Sequence, residues 1–551
     1  MTRTLSTAAR ILSERFHERV VFSILLMACL LPLWTSAYFL TGDGPCHLHN
    51  ARVLLDWMRD QHRPFYDGFY WLNRNFEPNW FSHLALAGLL RFFEPPVAEK
   101  LFLSAYVLCF GLGWRYLIRQ INPDNVFLSA VGLLFVWHKV LMMGFYNYAF
   151  SIALFFWIAG FWLRHRQAFT PGALALLAAL FVLQYAAHPI GLILSGLFIG
   201  LSILTAAVWP VGAKPLRSRA KALLREALAA WVVALPAIAL LAEYLFRKGL
   251  HWEANPDDFT ALKKELLGLS ALTTMNFRER DTGIAVGVLC VALFGWAVYQ
   301  RIKKNTRQPG DALWLFLAAT VLIYFKQPGG ITGGLMFPER LVFIPFLVMI
   351  LWAATASFPE WLRRGTLLSA VFFMAIFLVK RLPTHWEASA LVAEVVECRR
   401  LIPEESVILP LNLNKNGLTP SGERIGDRIY LFPHAADYLG ACRSAVMADN
   451  YEALQGYFPF AWYSEGNLYE QLKRPGSNCI IESLPPCADF VNYRNTRNGR
   501  QIDFVVLLHY QPSDFERDYG QNIKMQLDMD FVELYRSATG RVALYGRKPR
   551  R

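Results

Sequence analysis

The sequence predicts a polytopic α-helical membrane protein with about 11–12 membrane segments and a small C-terminal α/β domain. Three observations predict it. The chain is 55% hydrophobic and carries 18% charged residues, against about 25% in ordinary soluble proteins. Its apolar residues fall into long uncharged runs, and its basic residues gather in the short loops between them. Beyond residue 380 the long runs end, and a helical run is followed by short apolar strand-like runs.

Val20–Leu40 is the first run, twenty-one residues without a charge. That is enough to cross ~30 Å of hydrocarbon at ~1.5 Å per residue. Its flank is basic (Arg3, Arg10, Arg15, Arg19). The run exceeds the ~7–15 residues of a signal-peptide core, and no A-x-A-like site follows, so it reads as a retained helix. Further apolar segments lie near 80–93, 98–118, 126–143, 145–163, 172–188, 190–208, 228–246, 283–300, 312–325, 341–356 and 366–380.

The net charge of +13 does not point to a nucleic-acid partner. Lys214, Arg217, Arg219, Lys221 and Arg225 share one loop, Arg301, Lys303, Lys304 and Arg307 another, and Arg363 and Arg364 a third. That is the positive-inside signature, with attraction to membrane lipid headgroups. It puts the N-terminus and the loops 115–125, 164–170, 211–227, 301–311 and 357–365 inside. The alternation is consistent when 80–93, fourteen residues with Arg91 near its end, is re-entrant or interfacial. The loops 41–79, 247–282 and 326–340 then share the outer side with the C-terminal region. The expected division is a membrane domain over 1–380, including the first outer loop 41–79, and an extracytoplasmic mixed α/β domain over 381–551.

In the C-terminal domain, Thr384 and Glu387 form a T-x-x-E capping box before the helical run Ala388–Cys398. Strand-like runs follow at Ser406–Leu411, Arg428–Phe432, Asp503–Leu508, Phe531–Tyr535 and Arg541–Tyr545. Of Cys398, Cys442, Cys479 and Cys487, the best-spaced disulfide pair is Cys479–Cys487, with four free or buried thiols as the alternative. No C-x-x-C marks a zinc site.

The chemistry-bearing stretch is Thr41-Gly-Asp-Gly-Pro-Cys-His-Leu-His-Asn50. Gly42, Gly44 and Pro45 permit a tight turn that holds Asp43 at the membrane surface. Asp43, His47 and His49 are spaced to share a divalent metal ion; alternatively Asp43 is a general base tuned by an imidazole. The ordinary alternative is a polar helix end. Asn50–Asp60 carries an amphipathic helical stripe, expected to rest on the membrane surface. The aromatic run Phe65, Tyr66, Phe69, Tyr70, Trp71, Phe76, Trp80 and Phe81 reads as an interfacial belt or as a platform for an amphiphilic substrate. The cluster Tyr451, Tyr457, Phe458, Phe460, Trp462 and Tyr463 reads as domain core or as a sugar-facing patch. His188, the pair His138 and Lys139, and the turn residues Tyr146 and Asn147 are polar groups near apolar runs. No P-loop, post-strand G-x-G-x-x-G or H-E-x-x-H is present.

The segment Gly42-Asp-Gly-Pro-Cys-His-Leu-His-Asn-Ala51 resembles the D-G-P-x-H segment of bacterial GT-C-like membrane proteins. Gly144-Phe-Tyr-Asn-Tyr148 and Pro338-Glu-Arg340 are similar to other motifs of that group, and Glu77-Pro-Asn-Trp80 precedes the short apolar segment. The resemblance covers the architecture of most of residues 1–380. It implies a GT-C-like fold and a glycosyltransferase in the bacterial inner membrane. Such an enzyme moves a sugar from a polyprenyl-phosphate donor to a glycan, lipid or protein acceptor on the extracytoplasmic face. The family's first-loop carboxylate, a base or a metal ligand, corresponds to Asp43. Many members carry paired acids in this loop; here Gly44 follows Asp43. A leaving phosphate needs positive charge, and Arg340 and Lys326, flanking the Gly-rich loop 329–334, are the outer-side cations expected to supply it. Interfacial snorkelling is the alternative for both. Two other classes remain: a transporter or flippase of a lipid-linked substrate, which predicts broken helices and an internal repeat, and a non-catalytic envelope assembly protein. No repeat is visible in the sequence.

Overall fold

The computed structural model describes residues 2–208, 216–304, 312–331, 334–473, 481–484, 486–489 and 502–549. Lys214, Arg307, Cys479 and the loop residues Thr332 and Gly333 lie outside the described residues. Among the described residues, eight helices are long and apolar enough to cross a membrane: His17–Trp34, Pro95–Ile121, Pro123–Met142, Tyr146–His165, Pro189–Ala207, Ala220–Lys248, Phe277–Lys303 and Glu360–Leu401. Phe81–Leu90, Pro171–Ala187 and Ala312–Lys326 are shorter apolar helices. The segment expected at 341–356 is split into Phe337–Leu341 and Ile344–Ala353. Phe81–Leu90 has ten residues, about 15 Å of helix against ~30 Å of hydrocarbon.

The chain divides into two compact units. One holds Met1–Leu31, Ser104–Leu141 and Asn147–Lys380, and the other holds Pro32–Leu103, Met142–Tyr146 and Arg381–Arg551. The second unit thus joins everything after residue 380 to the first outer loop, its flanking segments and a short piece around residue 144.

In the first unit, the segment Pro123–Met142 is broken. It runs as a 3-10 turn Pro123–Leu128, a short helix Ser129–Gly132, a second 3-10 turn Leu133–Phe135 and a last turn Lys139–Met142. Broken backbone is tolerated at membrane depth only inside protein, and this segment is buried nearly throughout. Tyr106 Oη donates to the freed Val136 carbonyl at 2.9 Å, and Trp137 Nε1 donates to the Cys29 carbonyl at 2.9 Å. Gly132 gives way to the Trp114 indole, which would lie 1.9 Å from a Cβ there. Arg115 is paired with Glu18 through both guanidinium nitrogens, as a charge in an apolar segment requires.

The second unit is built on a mixed five-stranded sheet. Its strand order is Val446–Met447, Val407–Asn412, Phe504–Leu508, Val542–Arg547, Phe531–Arg536. The first three are parallel and the last two join antiparallel. Val407–Asn412 is buried along its length, so it reads as an unbroken apolar run. Four of the five expected strands are found within a residue or two. Arg428–Phe432 is not a strand. Asn412 Nδ2 donates to the Phe432 carbonyl at 2.6 Å, and Phe432 N donates to the Lys415 carbonyl at 3.0 Å, so loop contacts take the place of a ladder. The expected cap at Thr384 and Glu387 also gives way: one helix, Glu360–Glu397, runs through Pro383. Cys487 is disulfide-bonded; its expected partner, Cys479, is outside the described residues.

The first-loop helix spans Gly44–Met58. It does not lie on a surface as the stripe over Asn50–Asp60 suggests. Most of Gly44–Asp56 is buried, with Phe81–Leu90 and Asp437–Arg443 packed on it. Gly440 lets the latter approach, since a Cβ there would be 2.6 Å from the His49 ring. The two aromatic runs meet as a two-stranded ladder, Tyr70–Leu72 against Phe460–Trp462, with Tyr70 and Trp462 ring centroids 4.5 Å apart. Both serve mainly as core, though Trp71, Phe76 and Tyr463 remain exposed.

The turn before the helix is held backbone to backbone. Gly42 N donates to the Met142 carbonyl at 3.0 Å and Asp43 N to the Met143 carbonyl at 2.9 Å. Gly144 sits at φ +99°, and a Cβ there would be 2.3 Å from Asp43 N. Gly144→Ala therefore combines left-handed strain of about 1–3 kcal/mol with a clash against backbone. It should lower the unfolding temperature of the detergent-purified protein by several degrees. Gly88→Ala, which meets open space in a helix, should hold or slightly raise it. Equal unfolding temperatures for Gly144→Ala and wild type would show that this contact does not constrain the turn.

Candidate functional site

Three groups of buried carboxylates surround the turn at Asp43, all within the second unit. The first is Glu99. Tyr146 Oη donates to its Oε1 at 2.7 Å, Tyr438 Oη donates to its Oε2 at 2.5 Å, and Thr41 Oγ1 is 2.8 Å from Tyr146 Oη. Gly44 makes room here, since a Cβ would be 2.2 Å from the Tyr146 hydroxyl.

The second group is His47, Glu452 and His83, all buried. Glu452 Oε2 accepts from His83 Nε2 at 2.8 Å and from Asn50 Nδ2 at 2.7 Å. Glu452 Oε1 is paired with His47 Nδ1. His47 Nε2 is 2.9 Å from the Gly144 carbonyl, so both ring nitrogens face oxygen and the imidazolium form suits the site. Burial alone would lower the His47 pKa, but the charge and hydrogen bond of Glu452, with help from Asp43 and the Gly144 carbonyl, raise it above its ordinary value. Burial alone would raise Glu452; the charges and hydrogen bonds of His47 and His83 hold it well below the usual carboxylate range. Asn50 and Asn450 exchange amide hydrogen bonds beside this group, at 3.1 and 2.9 Å.

The third group lies against Asp43 itself. Asp43 is the residue before the first-loop helix, yet its carboxylate does not cap that helix. His434 Nε2 is 3.9 Å from Asp43 Oδ1, and His434 Nδ1 is 3.8 Å from Asp437 Oδ2 and 4.0 Å from Asp449 Oδ2. The His434 ring stacks on Tyr451, centroids 4.8 Å apart. The Asp43 side chain is 20% exposed, whereas those of His434, Asp437 and Asp449 are at most 4% exposed. Asp43 is thus the member of this group open to solvent. Burial first, then neighbouring carboxylates, pushes Asp437 and Asp449 well above the ordinary aspartate value. Burial brings His434 down to about 3 and pushes the Cys46 thiol up.

His49 stands in neither histidine group. Its Nε2 is 2.9 Å from the Ala445 carbonyl, and burial lowers its pKa to about 4. The structure therefore does not gather Asp43, His47 and His49 on one point: His47 is committed to Glu452 and Gly144, and His49 to the chain before Val446.

No protein-family model and no curated protein matches this chain. It is similar to two solved structures of the Archaeoglobus fulgidus oligosaccharyltransferase. One, tethered through a disulfide to an acceptor peptide containing the NVT sequon, is 10% identical with a TM-score of 0.47, over 97% of this chain and 74% of that one. The other, a complex with Zn and sulfate, is 13% identical with a TM-score of 0.43, over 96% and 73%.

Arg340 and Lys326 belong to the first unit. Arg340 is buried, with its Nη1 against His188 Nε2 and its guanidinium 5.9 Å from the ring centroids of both Tyr148 and Phe337. The Tyr148 hydroxyl donates to the Arg340 carbonyl. Lys326 ends the helix Ala312–Lys326 and is exposed. The loop between them forms part of a three-stranded ladder, Trp252–Glu253 with Gly330–Ile331 and Gly334–Leu335. His138 stacks on Phe343 at 4.7 Å, and Lys139 pairs with Glu339 at 3.6 Å.

Sequence reasoning missed His83, Glu99, His434, Asp437, Asp449 and Glu452. The available signal was the polar run Asp449-Asn-Tyr-Glu452, which leads into the aromatic cluster it did notice.

The pH dependence of the ion pair follows from its shifts. The lowered Glu452 gives stability that is full above the ordinary glutamate value of 4.5 and lost as pH falls toward its folded value. The raised His47 gives stability that is full below 6.5 and lost as pH rises through its folded value. Glu452→Gln should destabilise the folded protein by roughly 3–5 kcal/mol. Thermal unfolding of His47→Gln should lack the part of the alkaline decline that wild type shows above that point; an identical decline in both would remove His47 from the pair.

Proposed function

We propose that this chain is a membrane glycosyltransferase of the GT-C kind. It moves a sugar from a polyprenyl-phosphate donor to an extracytoplasmic glycan, lipid or protein acceptor, in a bacterial inner membrane. The observation that carries this reading is Asp43: a partly exposed carboxylate, pinned by the Met142–Gly144 backbone, in front of an otherwise buried His434–Asp437–Asp449 group. Two of the motifs that resemble this family meet there, with Gly144 directly against Asp43 N and the residues before it accepting from Gly42 and Asp43. The eight apolar helices and the disulfide at Cys487 also support it, since disulfides persist outside the cytoplasm.

In this reading Asp43 takes the proton from the acceptor's nucleophilic group as that atom bonds to the sugar's anomeric carbon. The bond from that carbon to the phosphate oxygen breaks, and the polyprenyl phosphate leaves with the electron pair. Arg340 and Lys326 are the cations proposed to meet the phosphate charge. Arg340 is held by aromatic faces suited to a buried guanidinium, and Lys326 is free to reach from an exposed helix end.

One observation favours the alternative of a transporter or flippase: the broken segment Pro123–Met142. The two readings separate in one experiment. Reconstituted full-length protein, given a polyprenyl-phosphate sugar and acceptor, should form a covalent product, and Asp43→Asn should reduce its rate by roughly 10²–10⁴-fold. Undiminished transfer by Asp43→Asn removes that residue from the chemistry. Movement of the donor across liposomes with no covalent product gives the case to the transporter.

A further inference from the structure

Two groups of donor side chains flank the start of the first-loop helix, and one difference decides what each can hold. In the His47–Glu452–His83 group the partners touch: His83 Nε2 and Asn50 Nδ2 lie 2.8 and 2.7 Å from the same carboxylate oxygen. No ion fits between atoms that already share hydrogens. The other group is open. Cys46 Sγ, a His434 ring nitrogen and an Asp437 carboxylate oxygen lie within 4.8 Å of one another. The separations of 3.8 and 4.0 Å from His434 Nδ1 to Asp437 and Asp449 are too long for hydrogen bonds. His434 Nδ1, both Asp437 oxygens and Asp449 Oδ1 are buried and have no hydrogen-bond partner outside this group among the described residues. Buried polar atoms are almost always partnered, and here several point at the same place. Two bonds of about 2.0–2.2 Å from a cation to nitrogen and oxygen span up to about 4 Å.

We propose that Cys46, His434 and Asp437, with Asp449 as the fourth donor, bind one divalent transition metal of the zinc class. A thiolate and an imidazole beside carboxylates select such an ion over calcium or magnesium, which take oxygen donors. Asn50 Nδ2 lies 3.5 Å from Cys46 Sγ, placed to donate to a thiolate. On binding, the Cys46 S–H proton passes to solvent as the sulfur–metal bond forms. With the metal on Nδ1, the His434 proton sits on Nε2, the nitrogen that faces Asp43 Oδ1 at 3.9 Å. That orienting effect on Asp43 rests on the reading of Asp43 as the base; the metal site does not.

The test uses full-length protein in detergent, stripped with a chelator and reloaded with Zn²⁺ alone, then separately with Co²⁺. Elemental analysis should give about one zinc per chain, and the cobalt form should show a thiolate-to-metal charge-transfer band in the near ultraviolet. Cys46→Ser should lose the band, and His434→Gln should bind zinc at least tenfold more weakly. Asp43→Asn should keep both zinc and band while losing sugar transfer, so failure of the transferase reading leaves this result unaffected. Wild type without stoichiometric zinc, or without the band, overturns the proposal even where both ligand variants misfold. A band that survives Cys46→Ser overturns it as well.

Discussion

The second unit depends on a contact between two pieces of backbone, Gly42–Asp43 against Met142–Met143. With no side chain at Gly42, Gly44 or Gly144, the two segments approach to hydrogen-bonding distance. The first-loop helix starts from that fixed point with Pro45 in its first turn, where a missing N–H does no harm. Successive helical residues then turn by ~100°, so adjacent positions serve different centres. Cys46 is directed to His434 and Asp437, and His47 to Glu452 and His83. A small error in where the helix begins would misdirect both.

Charge is the second constraint. A carboxylate taken out of water needs a proton, a counter-charge or several donors. Glu99 is met by two phenol hydroxyls, and Glu452 by two imidazoles and an amide. Among the described residues, both Asp437 oxygens and Asp449 Oδ1 lack such donors, and burial with neighbouring carboxylates raises both pKa values. Asp43, at the edge of the same group, keeps access to water. This graded exposure separates the carboxylate of the group that is open to water from those that are not.

Much of the architecture was legible in the sequence because its causes are local. Uncharged runs marked the long helices, and short apolar runs marked the strands at Val407–Asn412, Phe504–Leu508, Phe531–Arg536 and Val542–Arg547. Asp43 was legible because the glycines around it announce a turn. The amphipathic stripe over Asn50–Asp60 was read against the wrong partner: its apolar face meets protein helices, and its flank is covered as well. Thr384 and Glu387 looked like a helix start, but one long helix runs through Pro383 and past both. The donor groups were not legible at all. His434, Asp437, Asp449 and Glu452 carry no mutual spacing that marks a site, because their partners Cys46, His47 and His83 lie hundreds of residues away and only the tertiary fold selects them.

That separation has a bearing on how the chain is made. The amide pair Asn50–Asn450 and the contact of His83 with Glu452 close over 400 and 369 residues. During synthesis the first loop leaves the ribosome with its histidines and asparagine unpartnered. It stays so until the last fifth of the chain has followed it. Contacts of such long range form slowly. A chain truncated before residue 449 would keep the backbone contact with Met142–Met143 but leave Asn50, His47 and His83 without Asn450 and Glu452. A quality-control system would therefore find an incomplete chain by that loop, long before any test of activity.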